Sequence, residues 1–583
     1  AYIVETKDSK NSELISQLRE FLQERLPEHM VPSVFLPLAS LPLTPSGKID
    51  RRSLPAPTRD EFTVAYVAPS TPMQESIAEM WQQILGIERA GIHDNFFELG
   101  GHSLLITQLL TKLQNTFDVK ISLRKLFGSP TIAAIAQEIE RIQQAPPGTI
   151  LNEDAAAIDF VAEAVLEDGI QPNGTPYNPT IAPNAIFLTG ATGFLGAFLL
   201  YELLQQTQAD VHCLVRASDT ESGKQKIQNK LESYQLWNDT FSDRIVPLIG
   251  DLSQPLLGFS AQQFQQLTQQ LDVIYHSGAL VDSISPYERF KTANVLGTQE
   301  ILRLACQTKV KAVHFVSSTG VVPSGNAEAG TIKEDDNLDD VAMPGSGYAQ
   351  SKRVAEKLVT TARDRGLPIS IYRPGFITGH SQTGICNMGD IIYRMIKGCI
   401  QIESMPNLDV SLDLNPCDYV SQAVVYLSRQ QASLGNVFHL VNPQPLSMAD
   451  VYQYVRSVGF SMEFVEYEQW RSRLVKQGSS PDNALYPLIP VLAEQDNITL
   501  ETDGVSPQEK HVDPRTVKPV VQPFDASNTL AALENSSIVC PALDKKLLTN
   551  YFAYLVQSGF LNKSNETISV TRKNQADAAT ANC

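Results

Sequence analysis

The chain has 583 residues, of which 43% are hydrophobic and 19% charged, so large buried cores are expected and wholesale disorder is excluded. At roughly 150 residues per domain, this length predicts about four domains. The formal net charge is −18, from 46 Lys and Arg against 64 Asp and Glu, which argues against a nucleic-acid-binding protein.

The seven cysteines stand singly, without a CxxC or CxxH pair, which excludes a disulfide framework and a zinc site and is typical of a cytoplasmic protein. No apolar run reaches the roughly 18 residues that a membrane span needs, so we expect no membrane partner. The first residues, Ala1–Glu5, resemble the middle of a β-strand rather than a signal peptide. This start predicts a chain that begins inside a larger protein.

The first 183 residues divide into three stretches of different character. Residues 1–62 predict an apolar strand, a helix over Ser12–Leu26 and then a proline-rich segment. Residues 68–143 repeat apolar side chains at spacings of three and four, which predicts a small helical bundle. Residues 144–183 are interpreted as a linker and lead-in, with an acidic amphipathic helix near residues 155–167.

From residue 184 short β-branched runs alternate with helical patterns, which predicts a doubly wound, Rossmann-type parallel sheet over residues 184–380. The predicted strands are Ala185–Thr189, Val211–Val215, Ile245–Ile249, Val273–His276, Val313–Ser317 and Ile369–Tyr372. Residues 381–561 are expected to be mainly helical and to bind the substrate, with some return to the sheet. Residues 562–583 are polar and are predicted to be disordered. The fold class is therefore multidomain, with an α/β sheet in its largest part.

A glycine-rich turn follows the first of these strands. In the run Gly190-Ala-Thr-Gly193-Phe-Leu-Gly196, the first glycine permits a tight turn and the second lets the backbone approach a pyrophosphate. The third lets the following helix pack on the sheet. Because the run stands between a strand and a helix, it predicts a dinucleotide-binding turn. The expected contacts within it also include Thr192, Phe194 and Leu195.

The ends of the next strands predict further cofactor contacts. Arg216 stands where an acidic residue binds the ribose 2′-hydroxyl in NAD-preferring sites, and its guanidinium suits the 2′-phosphate of NADPH. Lys226 is a second candidate for the phosphate, although taken alone it reads as a solvated surface charge. The other expected contacts are Asp251, Leu252, Ser277, Gly278 and Ala279.

Tyr348 and Lys352 are four residues apart and therefore lie on one face of a predicted helix. A tyrosine hydroxyl, with an ordinary pKa of about 10, needs a nearby cation to transfer a proton at neutral pH, and Lys352 supplies one. The strand Val313–Ser317 runs into two hydroxyls, Ser318 and Thr319, at the carboxyl edge of the sheet, where ligands collect. Either hydroxyl is a candidate for polarising a substrate carbonyl.

Together these residues resemble the extended short-chain dehydrogenase/reductase family, through the three glycines, Thr319, Tyr348, Lys352 and the run Tyr-Arg-Pro-Gly that ends at Gly375. The resemblance implies that Thr319 polarises the carbonyl and that Tyr348 and Lys352 both act in catalysis and contact the cofactor. It also implies that the run ending at Gly375 borders the nicotinamide, with Ile377 as a further contact.

The most specific string in the chain is Asp94-Asn-Phe-Phe-Glu-Leu-Gly-Gly-His-Ser103-Leu. Taken alone, Ser103 reads as the N-cap of a helix that runs through Leu113. The whole string closely resembles the thiolation motif of peptidyl carrier domains, which are four-helix bundles. This implies that Ser103 carries 4′-phosphopantetheine, added by a phosphopantetheinyl transferase. The N-terminus of a helix favours such an anion.

Two runs upstream, Leu26-Pro-Glu-His-Met-Val-Pro32 and Pro45-Ser-Gly-Lys48-Ile-Asp-Arg51, resemble the end of the adenylation domains of nonribosomal peptide synthetases. In that family the lysine binds the acyl-adenylate. The large adenylating subdomain is absent from this chain, so residues 1–62 are expected to be a small α+β remnant. Lys48 is then a stranded catalytic residue.

The runs Cys213-Leu-Val-Arg-Ala217, Leu231–Trp237 and Leu414-Asn-Pro-Cys-Asp-Tyr-Val420 resemble thioester reductase domains, most of which have Val where this chain has Cys417. The order remnant, carrier and reductase is similar to the terminal module of a nonribosomal peptide synthetase. The resemblance implies that upstream domains deliver a peptidyl thioester to the carrier. NADPH would then reduce it to an aldehyde, or in a second cycle to an alcohol.

Three other functions are compatible with parts of this pattern. The first is a redox-inactive domain that releases its product by ring closure, against which Tyr348 and Arg216 argue. The second is a carrier scaffold with a purely structural nucleotide fold. The third is a nucleotide-sugar epimerase, which the fused carrier makes improbable.

Overall fold

The structure, a computed structural model, describes residues 2–4, 18, 36–38, 66–96, 99, 103–119, 121, 126, 130–144, 158–172, 177, 182–282, 285–322, 331–339, 341–478, 480, 482–492 and 524–562. Contacts divide the chain into two compact units, residues 1–151 and 152–583. Lys48, the predicted helix Ser12–Leu26 apart from Leu18, and the tail beyond Asn562 lie outside the described residues.

The first unit contains a short parallel strand pair and a helical bundle. Its elements are β1 Tyr2–Val4, β2 Leu36–Leu38, α1 Pro72–Leu85, α2 Ser103–Phe117 and α3 Ile132–Gln144. The apolar stripes predicted from the sequence face one another, and the buried ring of Trp81 meets Phe96 edge to face at 5.0 Å. Of the four predicted carrier helices, three lie within the part of the chain that the structure describes.

The second unit is built on a seven-stranded parallel sheet, which confirms the predicted Rossmann-type fold. Its strands are β3 Ala185–Thr189, β4 Asp210–Val215, β5 Ile245–Ile249, β6 Val273–His276, β7 Ala312–Val316, β8 Ile369–Pro374 and β13 Val437–Leu440. Their order is β13-β8-β7-β6-β3-β4-β5. Each predicted strand matches an observed one to within two residues at either end.

Helices cover both faces of this sheet, and each face packs into its own apolar core. The helices of the second unit are α4 Phe160–Glu163, α5 Phe194–Gln206, α6 Thr220–Ser233, α7 Ala261–Gln270, α8 Tyr287–Phe290, α9 Gly297–Cys306, α10 Gly347–Asp364, α11 Ile391–Gln401, α12 Cys417–Ser428, α13 Met448–Ser457, α14 Tyr467–Gln477, α15 Ile489–Leu492, α16 Ser527–Leu533 and α17 Lys545–Gln557. A π-helical turn, Lys291–Leu296, joins α8 to α9.

The region beyond the sheet is mainly helical, with short strand pairs that tie it together. These strands are β9 Phe376–Thr378, β10 Ser404–Pro406, β11 Ser411–Leu412, β12 Leu414–Pro416, β14 Leu446–Ser447 and β15 Glu463–Val465. They pair as β9 with β12, β10 with β15 and β11 with β14. A separate apolar core around the buried Trp470 supports this region.

The lead-in segment differs from its prediction. The helix expected near residues 155–167 is a single turn in the described part, Phe160–Glu163, capped by the Asp159 carboxylate. The chain then leaves helical geometry and buries Leu166 and Ile170 against the sheet's helices. Packing of these two apolar side chains holds the backbone in a non-helical conformation. The amphipathic pattern did not indicate this, because tertiary packing can override local helix propensity.

In the described ranges, none of the helices combines the length and apolar content needed to cross a bilayer. Within the same residues, no three His, Cys, Asp or Glu side chains gather as ligands for a metal ion.

Candidate functional site

The glycine turn between β3 and α5 has the shape of a dinucleotide cradle. Gly190 has a φ of +81°, and a Cβ there would lie 2.8 Å from the backbone nitrogen of Gly278. A Cβ on Gly196 would collide with the Gly190 carbonyl oxygen. Gly193 is the N-cap of α5 and supplies no side chain to its first N–H groups. An anion can therefore approach the N-terminus of this 13-residue helix.

A buried hydrogen-bond chain holds the ends of β3 and β6 beside that turn. Thr189 pairs in register with His276, and its Oγ1 lies 2.8 Å from His276 Nδ1 and accepts from Gly278 N at 2.9 Å. His276 Nε2 lies 3.0 Å from Thr298 Oγ1. Burial, aided by the charge of Lys352, lowers the pKa of His276 to about 3, so its ring is neutral. Sequence patterns did not indicate Thr189, His276 or Thr298, and the only signal for the first two is a polar side chain at the end of a buried strand.

Arg216 and Lys226 lie together at the carboxyl end of β4. Lys226 Nζ donates to the Arg216 carbonyl oxygen at 3.1 Å, and Arg216 is exposed. Partial burial, with the nearby Arg216 charge, lowers the pKa of Lys226. A bound anion would offset this effect and favour the charged form of Lys226.

The predicted contacts on β5 and β6 flank the glycine turn. Asp251 Oδ1 accepts from the backbone nitrogen and the hydroxyl of Ser253, both at 2.9 Å, so its carboxylate also shapes a local turn. A Cβ on Gly278 would lie 2.8 Å from the Leu252 side chain. The small residues Ser277, Gly278 and Ala279 thus leave the backbone of this strand end close to the turn.

Tyr348 is the second residue of α10, which the Ser346 hydroxyl caps by accepting from Ala349 N at 3.2 Å. One turn later, buried Lys352 donates from Nζ to the Val316 carbonyl oxygen at 2.7 Å, at the end of β7. Its Nζ also lies 4.3 Å from the centroid of the Phe315 ring. Burial lowers the pKa of Lys352 to about 8, with the Glu356 charge opposing.

The two candidate hydroxyls after β7 have different surroundings. Ser318 caps a short 3₁₀ turn, Thr319–Val321, and its Oγ accepts from Gly320 N at 3.1 Å. The Thr319 hydroxyl makes no hydrogen bond with any residue that the structure describes. The carbonyl oxygen to which Lys352 donates belongs to Val316, three residues before Thr319.

Two side chains from the segment before α9, Phe290 of α8 and Asn294 of the π-helical turn, contact the start of α10. Asn294, in the π-helical turn, exchanges hydrogen bonds with the backbone of Leu280 at 2.7 and 3.0 Å and donates to Ser351 Oγ at 2.9 Å. The ring of Phe290 meets that of Tyr348 edge to face at 6.0 Å. Sequence patterns did not indicate either residue; Asn294 lies in a π-helical turn, a rare element without a sequence signal.

A buried ion pair joins α10 to β8. Arg373 donates to Glu356 Oε1 at 2.6 and 3.1 Å and to Oε2 at 3.3 Å, and both side chains are only 4% exposed. Ser317 Oγ also donates to Glu356, and Arg373 Nη1 lies 3.1 Å from His439 Nε2. Burial favours the neutral acid, but Arg373 and these donors outweigh it and hold the pKa of Glu356 below its ordinary value.

The expected nicotinamide contacts Gly375 and Ile377 follow β8 directly. A Cβ on Gly375 would overlap the Asp413 carboxylate, so glycine is required here for close packing. Ile377 pairs with Asn415 across β9 and β12. Burial raises the pKa of Asp413 to about 6, opposed by hydrogen bonds from Asn442 N and Asn415 Nδ2.

Ser103 is the first residue of α2, one position further into the helix than the N-cap position predicted for it, and the helix continues past Leu113 to Phe117. Its side chain lies outside what the structure describes. The family described as phosphopantetheine attachment site matches residues 75–139, which include Ser103. The family described as male sterility protein matches residues 188–424 and so spans all the cofactor and catalytic candidates.

Among solved structures, the terminal R domain from the myxalamid PKS-NRPS biosynthetic pathway is 42% identical, with a TM-score of 0.63. The match covers 70% of this chain and 98% of that one. The chain belongs to the family of terminal reductase domains of nonribosomal peptide synthetases. This membership confirms the resemblance stated from the sequence, and it extends to the carrier domain that precedes the reductase domain.

Curated relatives span both domains. One linear gramicidin synthase subunit, from Brevibacillus parabrevis, is 39% identical over 97% of this chain and 11% of its own length. Aldehyde reductase lnaA of Aspergillus flavus is 33% identical over 95% of this chain and 54% of its own length. The chain thus spans 54% of the length of lnaA and 11% of the length of the gramicidin synthase subunit.

Proposed function

We propose that this chain releases a carrier-bound peptidyl or aminoacyl thioester as an aldehyde, by NADPH-dependent reduction, in the last step of a nonribosomal peptide synthetase. The observation that supports the proposal is that Lys352, one helical turn after Tyr348, donates to the Val316 carbonyl oxygen at the end of β7, three residues before Thr319, in a chain that also has a carrier domain. The name of the relative lnaA, an aldehyde reductase, agrees with it.

The residues present fit NADPH. The β3–α5 turn offers backbone N–H groups and a helix N-terminus to the pyrophosphate, with close packing that only glycine allows. Arg216 and Lys226 would hold the 2′-phosphate. When bound, NADPH supplies the hydride that the thioester carbonyl carbon accepts.

The catalytic side chains would act on the carbonyl oxygen. Thr319 and Tyr348 donate hydrogen bonds to it as negative charge develops, and Tyr348 transfers its proton. Lys352, which donates to the Val316 carbonyl oxygen, would keep a positive charge one helical turn from Tyr348. The resulting hemithioacetal breaks its C–S bond to give an aldehyde and the free thiol of the arm. We assign the polarising role to Thr319, since Ser318 Oγ already accepts a hydrogen bond from its own turn.

The carrier part would present the substrate. Ser103 at the start of α2 would bear 4′-phosphopantetheine, which a phosphopantetheinyl transferase adds, because a helix N-terminus stabilises the phosphodiester. Residues 1–62 would be the end of an adenylation domain and residues 68–143 the carrier. The reductase would comprise a cofactor-binding part at 184–380 and a substrate-binding part at 381–561.

The test uses the full chain, modified by a transferase and loaded with an aminoacyl thioester. We expect absorbance at 340 nm to fall and mass spectrometry to detect an aldehyde, or an alcohol after a second cycle. The variant Ser103→Ala, which cannot be loaded, is the control. A loaded chain that releases product without consuming NADPH would contradict the proposal and point to ring closure.

Cofactor preference should depend on Arg216. We expect Arg216→Ala to raise the Kd for NADPH by about 10- to 100-fold, because a charge-assisted hydrogen bond to the 2′-phosphate is lost. The Kd for NADH, which lacks that phosphate, should stay unchanged. Fluorescence titration measures both values, and an equal loss for the two cofactors would mean that Arg216 does not recognise the phosphate.

The pH dependence should report the charge of Lys352. Because burial lowers the pKa of Lys352 to about 8, its ammonium form is present below that pH and is lost as pH rises through it. We expect kcat/KM for NADPH, measured on the loaded chain, to fall about tenfold per pH unit above pH 8. In Lys352→Arg the cation persists, so this alkaline fall should vanish. Identical profiles for the two proteins would assign the fall to another group.

A further inference from the structure

The segment that leads from the carrier into the reductase is fastened to the reductase itself. Leu166 and Ile170 are buried in the core on one face of the sheet. Arg365, just after α10, donates to the carbonyl oxygens of Leu166 at 3.0 Å and of Ile170 at 3.2 Å. The segment therefore belongs to the reductase fold, although the sequence reads as linker.

Glu163 makes the most specific of these contacts. Its Oε2 accepts from the Tyr287 hydroxyl at 2.9 Å, and its Oε1 pairs with Lys291 Nζ at 2.7 Å. The ring of Phe160, one turn earlier, meets that of Tyr287 edge to face at 5.2 Å. Both partners of the carboxylate belong to one segment, residues 285–296, which comprises α8 and the π-helical turn.

The same segment supports the start of α10. A Cβ on Gly347 would lie 2.5 Å from the Ser285 carbonyl oxygen and 2.6 Å from Tyr287 N, so the two backbones are in direct contact. The Phe290 ring contacts Tyr348, the next residue along α10. Residues 285–296 therefore lie between the lead-in segment and the tyrosine.

We propose that Glu163 is a positioning residue for Tyr348: by holding Tyr287 and Lys291, it fixes residues 285–296 against the start of α10. The chain that tethers the carrier thus completes the catalytic side of the reductase. A reductase cut at residue 184 lacks this support. The kinetic part of the proposal rests on the proposed function, whereas the structural part does not.

Hydrogen–deuterium exchange of the full chain tests the structural part. We expect Glu163→Gln to speed amide exchange about tenfold in peptides covering residues 285–296 and 347–352, because the ion pair to Lys291 is lost. The matched control is Glu167→Gln in the same segment. The Glu167 carboxylate pairs with Arg303 at 2.8 Å and also accepts from Gln299, and both partners lie on α9 outside the two peptides, so its loss should leave those peptides unchanged. Equal acceleration in both variants, or none in either, would overturn the proposal.

Kinetics on the loaded chain tests the rest. Glu163→Gln should lower kcat about five- to tenfold with an unchanged KM for NADPH, since the tyrosine is displaced and the cofactor cradle is not. Exchanging the charges, with Glu163→Lys and Lys291→Glu together, re-forms the ion pair but not the acceptor for the Tyr287 hydroxyl, so it should restore part of the kcat that Glu163→Lys alone loses. A lower kcat that the exchange fails to rescue would contradict positioning by this pair. If the wild-type chain consumes no NADPH while the exchange data are as expected, the proposed function fails and the structural inference stands.

Discussion

Replacement of Tyr348 by Phe is expected to lower kcat by roughly 10²- to 10⁴-fold, the usual contribution of a general acid. The change removes one hydroxyl at the second residue of α10 and keeps the ring that contacts Phe290. Folding and the glycine turn should be unaffected, because Phe keeps the ring contact with Phe290. Stopped-flow absorbance at 340 nm on the loaded chain measures kcat.

The control for this variant is NADPH binding. Fluorescence titration should give a Kd for Tyr348→Phe within about threefold of the wild-type value, since proton donation is lost and ground-state binding is kept. Equal losses in kcat and in NADPH affinity would show that Tyr348 serves only to bind the cofactor. A kcat close to the wild-type value would move the proton donation to another residue.

The largest effect on stability is expected from Glu356→Gln, which removes one charge of the buried pair between α10 and β8. The substitution keeps the size of the side chain but leaves the Arg373 guanidinium buried without its counter-charge. Breaking such a pair costs about 3–5 kcal/mol of unfolding free energy. Urea denaturation followed by circular dichroism checks this value. A decrease in unfolding free energy below about 1 kcal/mol would contradict this expectation, because it would equal the effect of breaking an exposed ion pair.

A surface pair gives the matched control for that experiment. Glu468 lies 3.1 Å from Arg471 and is 69% exposed, so Glu468→Gln should cost about 0–1 kcal/mol of unfolding free energy.

The stability that the buried pair between Glu356 and Arg373 contributes should also depend on pH. Because the pKa of Glu356 is held below its ordinary value of 4.5, its contribution is complete above that pH and is lost as pH falls below it. The Glu356→Gln protein should lack this component of acid destabilisation.

Much of the fold follows from local sequence patterns. The six predicted strands are present because buried parallel strands are short apolar runs between turn residues. The strand β13, Val437–Leu440, was not predicted individually. It is a four-residue segment, Val-Phe-His-Leu, without a distinctive pattern, and it becomes a strand by pairing with the edge of β8. The short lead-in helix differs for a related reason, since its apolar residues pack on helices far along the chain.

In the candidate site too, some features follow from local sequence patterns and others only from the fold. The glycine turn and the spacing of Tyr348 and Lys352 are readable from the sequence, because each is a local requirement of backbone geometry or helical period. The side chains that hold these groups in place are not. Asn294 and Glu163 act through partners on other elements, and no spacing along the chain indicates such a contact.

The amino-acid sequence therefore specifies which chemical groups this protein carries: a serine in a carrier motif, a glycine turn between a strand and a helix, and the hydroxyl and amine side chains that we propose for proton transfer. Tertiary structure decides how they are supported. It neutralises His276 by burial, pairs Glu356 with Arg373 and brings the lead-in segment against the helix that precedes Tyr348. The physical reason is that strand and helix signals are local. Burial, charge pairing and packing instead depend on residues that only the folded chain brings together.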